Sequence, residues 1–178
     1  MSNHKIIFTG PVGVGKTTAI SSISDSPVVK TDEHASDMTQ DHKQETTVAM
    51  DYGVMVLGDN ERIHLYGTPG QERFNFMWDI LTQGGIGLVL LLDNTRADPF
   101  HDMDFFLDAF KTFIAENKVA IGITKTDISP FPTLEKYHEK MKAHGINPPL
   151  FEVDARESKD ISKLVEALLF SLDPWLGE

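Results

Sequence analysis

Three stretches of the chain are apolar at nearly every position: KIIFTG (Lys5 to Gly10), IGLVLLLD (Ile86 to Asp93) and KVAIGITK (Lys118 to Lys125). A strand with one wet face alternates polar and apolar residues, so short unbroken runs predict parallel strands buried on both faces. Elsewhere the period lengthens. From Ser158 to Phe170, Ile161, Leu164, Val165, Leu168 and Leu169 recur at spacings of three and four, predicting a helix with one apolar face and Ser158 as its N-cap. His101 to Ile114 reads the same way, as one amphipathic helix over the sheet. Thr46 to Gly67 instead predicts two strands joined by a tight turn at Gly58, Asp59 and Asn60. Strand, helix, hairpin, then strand and helix in alternation predict an α/β fold, a mixed sheet covered on both faces.

With 178 residues, 40% of them apolar, and no repeat or linker, the chain is expected to be a single domain over residues 1–178. A net charge of −11 argues against general affinity for nucleic acid or an anionic membrane, both of which need clustered Lys and Arg. No cysteine is present, which fits a reducing compartment and removes disulfides, thiolate metal sites, prenylation and palmitoylation. Ser2 offers no myristoylation glycine, so no lipid anchor is expected, and the chain lacks the apolar runs of a membrane span or signal peptide. A soluble, cytoplasmic protein is the expectation. His101, His138 and His144 stand among charged residues without metal-ligand spacing and are expected at the surface.

The strongest chemical signal is GPVGVGKTT, Gly10 to Thr18, which follows a predicted strand and opens a predicted helix. That context makes it a phosphate-binding loop. Gly10, Gly13 and Gly15 let backbone N–H groups, with those of Val14 and Thr18, curl around phosphate oxygens at a helix N-terminus. Lys16 is expected to bridge the β- and γ-phosphates and the Thr17 hydroxyl to ligate Mg²⁺. The base is addressed later, by Thr124-Lys125-Thr126-Asp127 after the third apolar run. A carboxylate at Asp127 can accept hydrogen bonds from the N1–H and exocyclic amine of guanine. Adenine has no N1–H there, so it would leave the charge unpaired. The Lys125 stem is expected to cover the base plane.

With these two elements in this order, the chain resembles a Ras-superfamily small GTPase, a P-loop NTPase. It looks most like the prokaryotic Ras-like group related to the bacterial gliding-motility and polarity GTPases, some of which also open the base motif with threonine. The resemblance implies a mostly parallel six-stranded sheet with one antiparallel strand and helices on both faces. It further implies that VDARE closes the base site, with the Ala155 N–H facing the guanine carbonyl between Asp154 and Arg156. Lys30 to Glu45 is polar and aperiodic, as a nucleotide-sensing loop is without its γ-phosphate. Thr47 then matches the switch threonine that reaches Mg²⁺, with Thr46 one register step away as its rival. In GTPGQ, Gly70 matches the glycine that contacts the γ-phosphate and Gln71 the glutamine that orients the attacking water.

Two departures stand out. Gly67 replaces the aspartate that normally helps to hold Mg²⁺, a trait shared with the gliding-motility group, leaving Thr17 and Thr47 as the expected protein ligands. That group often carries an arginine just before the switch threonine, where this chain has Thr46. The arginines are Arg62, Arg73, Arg96 and Arg156. The resemblance therefore implies a slow GTPase switch that binds GTP, GDP and Mg²⁺ and depends on an activating protein. Its effector would meet the apolar cluster Phe74, Phe76, Met77, Trp78 and Ile80, unless those residues fill the core. Alternatives are a GTP/GDP-binding regulatory module with little hydrolysis, and a P-loop kinase or ATPase, which the scarcity of arginine opposes.

Overall fold

The computed structural model describes residues 2–30, 50–69 and 75–172. In chain order they form β1 (Ser2–Thr9), α1 (Lys16–Ile23), β2 (Val29–Lys30), β3 (Asp51–Leu57), β4 (Glu61–Gly67), α2 (Asn75–Thr82) and β5 (Gly87–Asp93). There follow α3 (Pro99–Ala109), α4 (Lys111–Glu116), β6 (Lys118–Thr124), α5 (Leu134–Ala143), β7 (Leu150–Glu152) and α6 (Ser158–Leu172). The sheet order is β2-β3-β4-β1-β5-β6-β7. β3 runs antiparallel to both neighbours, and the remaining pairs are parallel. The expected six-stranded sheet with one reversed strand is thus present, with the two-residue β2 added at its edge.

The apolar runs are continuous because they feed two cores at once. Ile6, Phe8, Val89, Leu91 and Ala120 point to one side, where they meet Ile20 of α1 and Ile161, Leu164 and Leu168 of α6. Their neighbours Ile7, Leu88, Leu90, Ile121 and Ile123 point to the other, against Trp78, Met103, Phe106 and Tyr137. Alternation of Cβ direction along a strand sends each set to its own helix layer.

Two local expectations are corrected. The helix over residues 101–114 is two helices, α3 and α4, meeting at Phe110 (φ −100°, ψ 13°). Phe110 is buried and its ring stacks on Trp78 at 5.1 Å, so the tertiary contact sets the junction where periodicity alone sees continuity. Ser158 is the first residue of α6, not its cap: the Ile161 N–H already bonds to the Glu157 carbonyl at 3.2 Å. Of the expected surface histidines, His144 is half-buried and bonds Asp104 Oδ1 at 2.7 Å.

The apolar cluster after position 71 divides between the two readings. Trp78 is buried and donates its indole N–H to the Pro69 carbonyl at 3.2 Å, while Phe76 and Ile80 are each 62% exposed. Phe74 lies outside the described residues. Among the described residues, no helix is long and apolar enough to cross a membrane.

Candidate functional site

The carboxyl ends of the parallel strands β1, β5, β6 and β7 lie along one edge of the sheet, which is where ligands of open α/β sheets bind. Residues 10–15 leave β1 there and bend into α1. Gly13 and Gly15 take φ of 78° and 111°, in the left-handed region. At Gly15 a Cβ would also stand 2.9 Å from the Ala155 Cβ, so glycine lets the loop touch the segment after β7. Lys16 opens α1 and is 8% exposed, its ammonium donating to the carbonyls of Gly10 (2.7 Å) and Pro11 (3.0 Å). Burial pulls this ammonium down to about 8, with Asp51 acting in the opposite sense.

A cavity of about 340 Å³ joins this loop to the two later motifs. Gly13, Val14, Gly15 and Thr18 form one wall, Thr124, Lys125, Asp127 and Ile128 a second, and Asp154, Ala155 and Arg156 a third. Ten sequence-predicted residues, separated by as many as 143 positions, therefore line one hollow with a single addition, Ile128. Gly10 lies deeper, where a Cβ would stand 2.2 Å from the Leu91 carbonyl oxygen, and holds the loop against β5. Gly70, Gln71, Thr46 and Thr47 lie outside the described residues.

Hydrogen bonds fix the walls to one another. The buried Thr124 hydroxyl contacts the carbonyl oxygens of Val14 (3.3 Å) and Leu92 (3.2 Å), tying β6 to the loop after β1. Lys125 has φ 61°, uncommon outside glycine, and its ammonium donates to the Gly13 carbonyl (2.9 Å) and to Asp93 Oδ2 (2.6 Å). Burial raises the Asp93 carboxyl, but hydrogen bonds from Lys125 and from the Thr95 hydroxyl and N–H outweigh it, so the group lies below its ordinary value. Arg156 folds onto Asp154 through two contacts of 2.9 and 2.7 Å, holding that carboxyl down at about 2. The Asp127 carboxylate is exposed at the cavity and free of the tight ion pair that engages Asp93.

Sequence reasoning missed the residues that hold these walls in place. Asp93 ends its apolar strand with a carboxylate, a visible signal whose partner, 32 positions on, is visible only in the fold. Asn94 donates to the carbonyls of Ser129 (2.7 Å) and Pro132 (3.1 Å) and accepts from the buried Tyr137 hydroxyl (2.8 Å). It thereby braces the loop after Asp127. Asp160, in the first turn of α6, accepts the Asp154 N–H at 2.9 Å.

At the other end of the loop, the Thr17 hydroxyl donates to Asp51 Oδ2 at 2.5 Å. Asp51 is 8% exposed and stands directly across from Gly67 in the β3–β4 register. Among the described residues, no three His, Asp or Glu side chains gather as a metal-ligand cluster. A hydroxyl and a single carboxylate still suit Mg²⁺, which is held by one or two carboxylates together with phosphate oxygens and water. A roomier hollow, about 580 Å³, lies between α2, α3 and α4, but its charged lining residues are Asp79 and Glu116, which repel phosphate.

Comparison with known proteins agrees with this arrangement. The sequence model of the Ras family matches residues 5–173. An uncharacterized protein of Methanocaldococcus jannaschii is 28% identical over 136 residues, covering 75% of this chain and 77% of that protein. The Ras-related protein Rab-1D of Dictyostelium discoideum is 26% identical, and the GTP-binding protein ypt1 of Schizosaccharomyces pombe 24% identical. Each alignment covers 89% of this chain and 74% of the relative.

Proposed function

Because the chain belongs to the Ras family, and is on that ground a GTP-binding small GTPase, we propose that it is a slow, Mg²⁺-dependent switch regulating a protein partner. The observation that carries this reading is the single cavity in which residues 13–15 and Thr18 meet Thr124, Lys125, Asp127, Ile128 and residues 154–156. It offers a glycine-rich backbone, which leads into the buried Lys16, to phosphates at one end, and the Asp127 carboxylate to a guanine edge at the other.

In this reading Lys16 leaves the Gly10 and Pro11 carbonyls for β- and γ-phosphate oxygens, a stronger, charge-assisted pairing. Lys125 covers the base while its ammonium stays on Gly13 and Asp93. The Ala155 N–H faces the guanine carbonyl. By resemblance to the family, Gly70 would contact the γ-phosphate, Gln71 would orient the attacking water, and Thr47 would reach Mg²⁺ through its hydroxyl and the γ-phosphate through its backbone. Thr17 and Thr47 would hold Mg²⁺, which would neutralise phosphate charge.

Slow turnover follows from charge. An arginine supplied to the γ-phosphate is worth several orders of magnitude in rate, and the sequence has none between Lys30 and Thr47. A partner is therefore required for fast hydrolysis. The exposed Phe76 and Ile80 on α2 support a protein partner there. Gly67 and Thr124 favour kinship with the prokaryotic gliding-motility group. The cysteine-free chain fits a reducing compartment, and we place it in the cytoplasm.

Phosphate release from GTP and from ATP, followed over hours beside a Gln71→Ala variant, tests the reading. Slow release specific to GTP and reduced in the variant is expected. Release many times a minute without a partner contradicts the slow switch. Tight GTP binding with no release in either protein favours the second reading, a GTP/GDP-binding module with little hydrolysis, to which Gly67 also points.

A further inference from the structure

Thr9 is the one polar residue between Lys5 and Gly10 in the otherwise apolar end of β1, and it is fully buried. Its hydroxyl oxygen stands 2.8 Å from that of Thr68, itself 2% exposed, and either group can donate to the other. A hydroxyl in a dry core is costly unless it is bonded, and valine has nearly the same shape without that cost. Packing alone therefore does not explain the pair. What a hydroxyl pair adds is position, because a hydrogen bond fixes distance and direction where apolar contact allows sliding.

The position it fixes is the point where the chain leaves β4. Gly67 is the last residue of that strand, and the Thr68 N–H donates to the Phe8 carbonyl at 2.9 Å. Thr68 is thus tied to β1 twice, once by backbone and once by side chain. Pro69 follows with its φ set by the ring, and its carbonyl accepts the Trp78 indole N–H at 3.2 Å. Trp78 is buried and in turn stacks on Phe106 and Phe110 at 5.4 and 5.1 Å, which ties α2 to α3. Two consecutive residues are gripped by different elements, Thr68 by the strand that feeds the phosphate loop and Pro69 by the helix layer. Gly70 and Gln71 come next in the chain.

Neither threonine lines the cavity in which the three motifs meet. Thr9 directly precedes Gly10, yet its hydroxyl bonds to Thr68. The pair therefore bears on the segment after β4 and not on the walls that would meet GDP.

We propose that Thr9 is a positioning residue for GTP hydrolysis: acting through Thr68, its hydroxyl sets where Gly70 and Gln71 stand against the γ-phosphate. The proposal rests on the switch reading above, which gives those two residues their roles. It assigns a function to a buried polar pair that the nucleotide-binding motifs leave unused.

The test follows a single turnover of GTP on the full chain, beside equilibrium binding of a fluorescent GDP analogue and urea denaturation. Thr9→Val combined with Thr68→Val removes both hydroxyls, keeps the side-chain shapes and leaves no buried hydroxyl without its partner, so the fold is retained. Hydrolysis should fall about tenfold or more, because small misplacements of reacting groups are costly. GDP affinity should stay within about twofold of the parent, a split that a merely structural pair would not produce. Thr9→Ser keeps the hydroxyl and should hydrolyse GTP within about threefold of the parent rate. Parent-rate hydrolysis in the double variant overturns the proposal, as does a rate loss accompanied by equal losses of GDP affinity and denaturation midpoint. If the parent binds GTP and never cleaves it, the hydrolytic reading fails and the proposal with it; if it binds no GDP, nucleotide binding itself fails.

Discussion

The two ends of the candidate site are built by different kinds of geometry. The base end is assembled from contiguous strings at the ends of parallel strands: residues 124–127, beginning with the last residue of β6, and residues 154–156 after β7. Each string carries its chemistry within a few positions, and the fold needs only to align strand ends. The end at Thr17 depends on an antiparallel register that sets Asp51 across from Gly67, 16 positions away, and against the Thr17 hydroxyl. Motif strings therefore name the residues that meet at the first end and leave out Asp51 at the second.

The sharpest contrast comes from deleting one carboxylate at the base end. Asp127→Ala removes the acceptor for the guanine edge and should weaken GDP binding by about a hundredfold or more, with selectivity over ADP lost, since buried charge-assisted hydrogen bonds cost about 2–5 kcal/mol to break. Equilibrium titration with a fluorescent GDP analogue measures it. Because the end at Thr17 is untouched, Mg²⁺ should still slow release of the nucleotide that binds.

Thr124→Val asks whether the base end is held ready by its own hydrogen bonds. Loss of the hydroxyl contacts to Val14 and Leu92 should cost about 1–2 kcal/mol in urea denaturation and weaken GDP binding only as far as the loop shifts. Equal stability would mean that the two motifs are merely neighbours.

Tyr137→Phe acts further out. It withdraws the donor to Asn94 Oδ1 and should cost about 1 kcal/mol by chemical denaturation, with guanine selectivity intact.

The smallest effect is a pH dependence. The Asp93 carboxyl lies below its ordinary value of 3.8 in the folded chain, so its stabilisation is present above that pH and lost as pH falls through the lower, folded value. The stability difference between the parent and Asp93→Asn should therefore stay constant near neutrality and shrink below about pH 4. A difference that grows on acidification would contradict the Lys125 pairing.

Legibility followed the same division. Gly10 to Thr18 and Thr124 to Asp127 announce themselves because each must present several groups from adjacent positions. Asp93, Asn94, Tyr137 and Asp160 act only through partners that the fold brings near, so the string around each says little. Asp51 is in plain view in AMDYG, yet its bond to the Thr17 hydroxyl, 34 positions back, is visible only in the fold. The strands were readable because burial on both faces leaves an unbroken apolar run, whereas the junction at Phe110 was not, because stacking on Trp78 leaves no mark on helical periodicity.

The most direct test of the account is a calorimetric titration of the full chain with GDP and with ADP, each with and without Mg²⁺. GDP should bind about a hundredfold or more tightly than ADP, and more tightly still when Mg²⁺ is present. Equal affinities for the two nucleotides, or no heat of binding with GDP, would contradict it.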